Sequence, residues 1–442
     1  MRELKLPHKS MSREAVLSKL KSMKSEDVDW QSGRMFSLIY NAGEEIRDIT
    51  REAFNIYFME NGLSPFAFAS LKKLETEVIA MTAGLLGGDT ETAGSFTCGG
   101  TESILMAVKT ARDWAQVERP NVRGPEMIKA VTAHPAWDKS AHYLGLKVVA
   151  VPAGPDFRAD VAAMSKCVNE NTIMMIGSAM TYPHGMVDPI EELGKIAAEN
   201  NIWLHIDSCL GGMILPFVKK LGYEVPAFDF SVPGVTSISA DLHKYGFAAK
   251  GASTILYRNS EYRRHQYFAY ADFPGGVYAT STLTGARPGG PIAAAWAVMN
   301  YLGEEGYLRL AKAAMETTRQ LMDGVNSIPK LRVLGKPVAT VFAIASDEIN
   351  VYALSDALKQ RGWLLEKQHL PASLHLTVSP FHAQLADRFL ADLAACAKEV
   401  ENIDSSSLSD EAVMYGMMAS LPDRSTARDF AVDYLNNLYR LE

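Results

Sequence analysis

The segment VTSISADLHK (235–244) begins as an apolar, β-branched run and ends in three polar side chains, Asp241, His243 and Lys244. Short runs of this kind are typical of strands that are buried on both faces of a parallel sheet. Similar runs stand at 127–134, 146–153, 172–180, 202–209 and 252–258, with helical patterns such as 102–118 and 188–201 between them. Strands that alternate with helices predict an α/β fold, in which helices cover both faces of a mainly parallel sheet.

The composition excludes several classes of protein. Of the 442 residues, 48% are hydrophobic and 21% are charged, which is too apolar for a disordered chain. The net charge of −7 argues against nucleic acid as a partner. The four cysteines form no C-x-x-C pair, so the sequence predicts no disulfide framework and favours a cytoplasmic location. Because no signal peptide and no run of about 18 apolar residues is found, we expect no transmembrane segment.

The sequence divides into three parts. Residues 1–60 have the pattern of a helical arm, of the kind that wraps a partner subunit, and residues 61–325 carry the alternating strands and helices of a large α/β domain. Residues 326–442 combine strand-like runs at 338–346 and 373–380 with amphipathic helices. This mixture predicts a small C-terminal α+β domain.

Ligands of open α/β sheets bind beyond the carboxyl ends of the strands, so polar segments at those ends are candidates for a site. One of them, CGGTES (98–103), opens a predicted helix. Its backbone N–H groups, glycines and hydroxyls can form a cradle for an anion such as phosphate. An ordinary helix cap is the alternative, because Thr and Ser cap helices routinely. No G-x-G-x-x-G or Walker sequence is present, which argues against dinucleotides and ATP.

Three further strand ends carry His134, Asp207 and Lys244. An aspartate after an apolar strand needs a cationic or protonated partner, unless it only caps the turn. A partly desolvated lysine has a lowered pKa and can form a Schiff base, whereas a solvated loop lysine is the alternative. The His and Asp pairs in these segments lack a third ligand at suitable local spacing, so no metal site is predicted.

Together these residues match the chemical needs of pyridoxal 5'-phosphate. The cradle suits the phosphate, Asp207 can keep the pyridine nitrogen protonated, His134 can stack on the ring, and Lys244 can hold the aldehyde. The sequence therefore predicts a pyridoxal-phosphate enzyme.

The sequence also resembles the sphingosine-1-phosphate lyases, within the group of pyridoxal-phosphate enzymes that includes glutamate and aromatic amino-acid decarboxylases. The matching segments, from about Ser32 onward, include SISADLHKYGFAAKGAS (237–253), TCGGTESILMAVKTAR (97–112), AHPAWDKSAHYLG (133–145), HIDSCLGG (205–212), GARPGG (285–290) and YGMMASLPDR (415–424). The resemblance implies an aspartate-aminotransferase-like fold, which is fold type I of these enzymes, with a large and a small domain. It also implies a homodimer with shared active sites.

The residues that the resemblance carries over fall into three groups by role. The catalytic group is Lys244, Tyr182 and His134. The cofactor-binding group is Gly99, Gly100, Thr101, His134, Asp207, His243, Lys244 and Gly290, the last from a second subunit. The substrate-binding group is Tyr40, Asn61, Ser64 and Lys250. Core packing for the two tyrosines and a solvated position for Lys250 are the alternatives.

Two positions depart from the family's pattern. The lyases usually have N-P-L-H-P-D where this chain has NGLSPF (61–66), so Ser64 replaces a histidine that contacts phosphate. The serine of the usual G-S-R-P-G-G is Ala286 here. Each loss can cost about 1–3 kcal/mol of binding to a phosphate dianion, which leaves the head group of the substrate open.

The resemblance implies cleavage of sphingosine 1-phosphate, or a related phosphorylated long-chain amino alcohol, to a fatty aldehyde and phosphoethanolamine by retro-aldol chemistry. An amino-acid decarboxylase is the nearest alternative, because the same cofactor can promote cleavage of different bonds. An arginine placed for a substrate carboxylate favours decarboxylation, and the sequence does not position Arg258 or Arg287. A third alternative is a binding protein that keeps the fold without catalysis.

Overall fold

The computed structural model describes residues 6–401, 409, 413–417 and 425–440. Its helices include α1 (Arg13–Lys24), α2 (Glu44–Ile56), α3 (Ala69–Leu85), α4 (Gly100–Glu118), α5 (Ala136–Leu144), α6 (Val161–Lys166), α7 (Ile190–Glu199), α8 (Leu215–Lys220), α9 (Ser260–Arg263), α10 (Gly289–Ser327), α11 (Val351–Gln360), α12 (Ala386–Glu399) and α13 (Ser425–Leu438). Its strands are β1 (Ala93–Thr97), β2 (Glu126–Ala130), β3 (Lys147–Val151), β4 (Thr172–Ser178), β5 (Trp203–Asp207), β6 (Val235–Ala240), β7 (Ser253–Tyr257), β8 (Phe268–Tyr270), β9 (Tyr278–Thr280), β10 (Arg332–Val333), β11 (Val341–Ala345), β12 (Glu366–His369) and β13 (Ala372–Thr377). Most of the motif at 415–424 lies outside the described residues.

A seven-stranded sheet in the order β1-β7-β6-β5-β4-β2-β3 forms the centre of the described structure. From β3 through β2, β4 and β5 to β6, each strand is parallel to its neighbour. The predicted α/β fold with a mainly parallel sheet is therefore confirmed. The run at 252–258 is the exception, because β7 is antiparallel to both β1 and β6. No crossover helix joins β6 to β7, and a parallel pair needs one.

The parallel register brings the carboxyl ends of β4, β5 and β6 side by side. Ser178 pairs with Asp207, and Asp207 pairs with Ser239 on the next strand. Asp207 therefore ends a central strand, and the segment that contains Lys244 begins at the same edge.

Strand β5 shows how helices cover the two faces of the sheet. Leu204 and Ile206 belong to an apolar core that also contains residues of α10. Trp203 belongs to a second core, with Ile104 of α4 and Trp137 of α5. The alternation follows from the two-residue period of a strand, which points successive side chains to opposite faces.

A second, four-stranded antiparallel sheet has the order β10-β11-β13-β12. Its core includes Trp363 and Phe389, both fully buried. Helix α10 has a kink at Gly303 and ends at Ser327, so the proposed domain division at residue 325 falls in its last turn.

The N-terminal helices differ in their packing. Helix α1 buries none of its residues, whereas α2 packs on α10 through Ile46, Thr50 and Ala53. Within the described ranges, no helix is both long and apolar enough to cross a membrane.

Candidate active site

A cavity of about 360 Å³ opens at the carboxyl edge of the central sheet. Its wall contains the predicted residues Gly99, Gly100, Thr101, His134, Tyr182, Asp207, His243 and Lys244. Distant segments of the chain thus meet at one sheet edge, where ligands of open α/β folds bind.

The glycine pair forms one side of this cavity. The N-cap of α4 is Gly99, which makes no side-chain hydrogen bond, and the Ser103 hydroxyl bonds instead with Thr97 and Ser253 at 2.6 and 2.9 Å. Among the described residues, no side chain therefore caps the first-turn N–H groups, which favours the anion cradle over the capping alternative. A Cβ at Gly100 would lie 2.8 Å from Cys209 Sγ, so the close approach requires glycine.

Asp207 is held in the cavity wall by two neutral donors. Trp137 Nε1 donates to Oδ2 at 3.3 Å, and the backbone N–H of Cys209 donates to Oδ1 at 3.2 Å. The carboxylate is 7% exposed. Because neither donor carries a charge, Asp207 can still pair with a protonated group of a ligand.

His134 and Tyr182 form another part of the wall, with ring centroids 6.4 Å apart. His134 Nδ1 accepts a hydrogen bond from the Ala136 N–H at 3.1 Å. Burial lowers the pKa of His134, and Asp207 opposes this effect. A neutral ring of this kind can stack on the face of a heterocycle.

The electrostatic environment of Lys244 differs from the predicted one. The Lys244 Nζ lies 2.9 Å from Asp241 Oδ2. Burial is the largest single effect and lowers the pKa of Lys244, as expected, but Asp241, Tyr40 and Cys209 together raise it by more, so the net pKa lies above its ordinary value. The prediction of a lowered pKa is therefore wrong, because it ignored the carboxylate three residues earlier.

His243 extends the phosphate side of the cavity. Its Nδ1 accepts a hydrogen bond from the Ala252 N–H at 3.2 Å, which leaves Nε2 as the donor of a neutral ring. Burial lowers the pKa of His243 to about 4. The ring can therefore donate a hydrogen bond to an anion without carrying a charge.

The other predicted residues lie outside this cavity. Tyr40 and Lys250 line a neighbouring cavity of about 300 Å³, which shares His243 with the first. Lys250 Nζ donates to the Leu38 carbonyl at 2.7 Å and lies 5.4 Å from the centre of the Tyr40 ring. Lys250 is nevertheless exposed, so these contacts hold its amine without removing the side chain from solvent, and the solvated alternative stays open.

Asn61 and Ser64 are placed by a loop rather than by the sheet edge. Asn61 forms an isolated bridge with Pro288, and Ser64 lines a third cavity, of about 830 Å³. Gly290 is buried against Phe54, whose ring atoms would lie 2.9 Å from a Cβ there. Within one described chain, these three residues are therefore not brought to the cavity that Lys244 lines.

Sequence reasoning gave no role to Asp241 or Trp137 at this site, and it did not single out Glu75 at the 830 Å³ cavity. Asp241 pairs with Lys244, and its Oδ1 is buried without a hydrogen bond. Trp137 orients Asp207, and Glu75 binds Arg287. For Trp137 a signal existed, since it stands three residues after His134 in a quoted motif; Glu75 has no such signal.

The donor set fits pyridoxal 5'-phosphate. An amine, a carboxylate and a glycine-lined helix start share one cavity wall. These groups are complementary to the aldehyde, the protonated ring nitrogen and the phosphate. Among the described residues, no group of three His, Cys, Asp or Glu is placed to hold a metal ion.

Comparison with known proteins gives the family. The model of the pyridoxal-dependent decarboxylase conserved domain matches residues 1–343. Over 439 residues the chain is 43% identical to the sphingosine-1-phosphate lyase of Oryza sativa subsp. japonica, covering 98% of this chain and 81% of the rice protein. The chain belongs to the sphingosine-1-phosphate lyase family. A solved structure of the Burkholderia pseudomallei sphingosine-1-phosphate lyase agrees, with a TM-score of 0.90 and 39% identity, over 99% of this chain and 97% of that one.

Membership of the sphingosine-1-phosphate lyase family confirms the predicted enzyme class and cofactor. The chain is a pyridoxal-phosphate-dependent lyase of fold type I. One relative from outside the lyases is also similar. The probable L-aspartate decarboxylase of Pyrococcus furiosus is 33% identical over 360 residues, covering 81% of this chain and 94% of that protein.

Proposed function

We propose that the chain cleaves sphingosine 1-phosphate, or a related phosphorylated long-chain amino alcohol, to a fatty aldehyde and phosphoethanolamine. The proposal is supported by the identity to sphingosine-1-phosphate lyases along nearly the whole chain. The observation that favours this reaction over decarboxylation is that two arginines are already bonded to other groups of the protein.

Arg287 and Arg258 are both committed to the protein itself. Arg287 binds Glu75 through two nitrogens, at 2.5 and 2.9 Å, and also donates to the Phe96 carbonyl. Arg258 donates to the carbonyls of Phe230, Val232 and Val235. A two-point guanidinium–carboxylate pair is strong and directional, so Arg287 is not available to a substrate carboxylate. The Arg258 guanidinium is likewise occupied, by three backbone carbonyls.

Pyridoxal phosphate, when bound, supplies an electron sink for the negative charge that remains on carbon after the bond breaks. Lys244 would hold its aldehyde, and Asp207, oriented by Trp137, would face its ring nitrogen. The backbone of Gly99, Gly100 and Thr101 would bind its phosphate, with His243 donating from the other side. His134 would pack on the ring. Burial raises the pKa of Tyr182 above its ordinary value, so its phenol is protonated at neutral pH and would donate a hydrogen bond to substrate.

We further propose a homodimer in which each active site takes Gly290 from the partner subunit. Leu63, Phe66, Phe268 and Val277 are exposed apolar side chains on the loop and hairpin around the 830 Å³ cavity. Large exposed apolar surfaces of this kind mark protein–protein contacts. A second copy would cover them and would bring Asn61 and Ser64 into a shared interface.

The free cysteines Cys98, Cys167, Cys209 and Cys396 support a cytoplasmic location.

Decarboxylation remains the second candidate, because the Pyrococcus furiosus relative shares a third of its residues with this chain. Product analysis separates the two activities. The protein reconstituted with pyridoxal phosphate is incubated with sphingosine 1-phosphate and, separately, with L-aspartate and L-glutamate. We expect aldehyde from the first incubation and no carbon dioxide from the others; carbon dioxide without aldehyde would overturn the proposal.

A further inference from the structure

A buried histidine of the four-stranded sheet packs on the active-site wall, on the side that faces away from the cavity. His375 lies on β13 and is fully buried. Its ring stacks on Tyr182, with centroids 4.1 Å apart and planes inclined by 20°. Tyr182 therefore has the cavity on one side and an imidazole on the other.

The same histidine is fixed by a hydroxyl. His375 Nε2 lies 2.8 Å from Thr377 Oγ1, two residues along the strand. Two positions apart is the spacing that places side chains on the same face of a strand. Among the described residues, His375 Nδ1 meets no partner at good hydrogen-bond geometry, although the Pro183 backbone acts on the ring. The contact with Thr377 is therefore the well-formed side-chain bond of this ring.

Thr377 connects this pair to a second tyrosine. Burial has the largest effect on Tyr40 and raises its pKa to about 12, while the Lys244 charge and the Thr377 side chain act in the opposite direction. Thr377 therefore bonds with the histidine that stacks on Tyr182 and also acts on Tyr40.

We propose that His375 and Thr377 are positioning residues that hold Tyr182 and Tyr40 for the reaction. The inference rests on the proposed function in one respect: that function supplies the roles of the two tyrosines in the reaction. Neither His375 nor Thr377 lines the cavity, so both act through the tyrosines they contact. The imidazole acts as a flat, uncharged surface: burial lowers its pKa to about 3, which keeps it neutral at physiological pH.

The imidazole therefore has two roles, stacking on Tyr182 and bonding with Thr377, and different substitutions can separate them. His375→Phe keeps a flat ring against Tyr182 and loses the bond to Thr377. His375→Leu loses both the ring and the bond. Thr377→Val keeps the shape of the side chain and removes the hydroxyl that bonds with His375 and acts on Tyr40.

The chain offers a matched control in His382. It is buried in the same small unit, it packs on Phe36 with ring centroids 4.3 Å apart, and it bonds with the Met35 carbonyl at 3.2 Å. It makes no contact with either tyrosine in the structure as described. His382→Phe should lower stability as much as His375→Phe does, without changing kcat or KM.

Kinetics test the proposal by a double-mutant cycle. In the holoenzyme we expect His375→Leu to lower kcat roughly tenfold, the upper range for an aromatic pair. In a Tyr182→Phe background the same substitution should have little further effect, since the hydroxyl it positions is gone. Thr377→Val should mainly raise KM, through Tyr40. Equal losses of kcat in both backgrounds would overturn the proposal.

A crystal structure gives a readout that does not depend on the substrate. In His375→Leu the Tyr182 ring should leave the orientation it has in wild type, whereas His375→Phe and His382→Phe should retain it. An unmoved Tyr182 in His375→Leu would overturn the proposal even if activity fell. If His375→Leu does not fold, Thr377→Val tests the proposal instead. An unchanged orientation of Tyr40 together with an unchanged KM would then overturn it. A wild-type protein that releases no aldehyde refutes the proposed function, while the crystal comparison still tests this inference.

Discussion

Lys244 is the residue on which attachment of the cofactor depends. Replacing it by alanine removes the amine that binds the aldehyde, so we expect loss of the visible colour of the protein and a fall in turnover of at least about a hundredfold. Absorbance after addition of pyridoxal phosphate measures the first effect. Lys250→Ala is the control: it lies in the neighbouring cavity and should lower turnover while the colour remains. A coloured, active Lys244→Ala protein would refute the assignment.

Gly100 tests the cradle at the start of α4. A Cβ at this position would lie 2.8 Å from Cys209 Sγ and 2.9 Å from the Asp241 oxygens, so something must shift. Overpacking of this kind costs about 1–3 kcal/mol, so the Kd of pyridoxal phosphate should rise roughly tenfold or more in Gly100→Ala.

Gly99→Ala is the matched comparison for Gly100. The nearest atom to its Cβ is His243 Cε1 at 3.4 Å, an ordinary contact, so the change in cofactor affinity should be smaller. Absorbance titration measures the affinity of both variants for pyridoxal phosphate. An affinity equal to that of the wild type in both would show that the glycine pair does not shape the cofactor site.

Individual site residues were predictable where chemistry and strand ends coincide. Asp207 and Lys244 follow apolar strands, so their meeting at one edge could be inferred from the parallel sheet alone. The pKa of Lys244 could not, because it depends on the distance to Asp241. The position of Asn61 away from this edge was equally hidden, since a loop sets it through the bridge with Pro288.

At the scale of elements, Gly303 allows the kink of α10. Its φ is 53° and its ψ is −171°, a conformation essentially restricted to glycine. No atom of the described part of the chain lies within 4 Å of a Cβ built there, so Gly303→Ala should destabilise the fold by backbone strain alone, by about 1–3 kcal/mol. Urea unfolding measures the change.

Gly84 is the control for Gly303, since it lies within α3 and its Cβ position is equally open. Gly84→Ala should leave stability unchanged or raise it by about 0.5–1 kcal/mol, because alanine favours a helix. A neutral Gly303→Ala would show that the kink is not imposed by this residue.

The buried strands were predictable to within a few residues, because apolar, β-branched runs mark them. Strand β1 was implied by the strand end at 98–103, but its residues were not identified, because AGSFT contains small and polar residues and its pairing with β7 supplies the order. Strand β12, EKQH, was missed for the same reason. In both cases the partner strand, rather than the local sequence, determines the structure.

At the scale of the whole molecule, buried neutral histidines predict acid lability. Burial lowers the pKa of His205 and His375 to about 3, and of His184 and His382 to about 4. Each folded-state pKa lies below the unfolded value of about 6.5, so the unfolded chain binds more protons as the pH falls. Stability should therefore decrease between about pH 6.5 and 4, by up to about 1.4 kcal/mol per pH unit for each histidine.

Urea unfolding at a series of pH values measures this dependence. His205 lies between the hydroxyls of Ser237 and Ser239, at 2.8 and 3.1 Å. His205→Gln should reduce the slope by about one proton. A free energy of unfolding that stays constant across this pH range would contradict the prediction.

The proposed dimer with shared active sites predicts complementation between two inactive variants. In that dimer, Lys244→Ala and Gly290→Val would place their defects on different sides of one site. Coexpression of the two should give mixed dimers with one intact site, and about a quarter of wild-type turnover in a random mixture. If Gly290 serves its own subunit, no mixed dimer has an intact site and activity stays absent.

The central claim is that the amine of Lys244 holds pyridoxal phosphate in the cavity at the carboxyl edge of the sheet. Borohydride reduction of the holoenzyme makes the lysine–cofactor bond permanent, and mass spectrometry of the digested protein then locates it. We predict the added mass on the peptide that contains Lys244. The same mass on the peptide of another lysine, such as Lys250, or on none, would contradict the account.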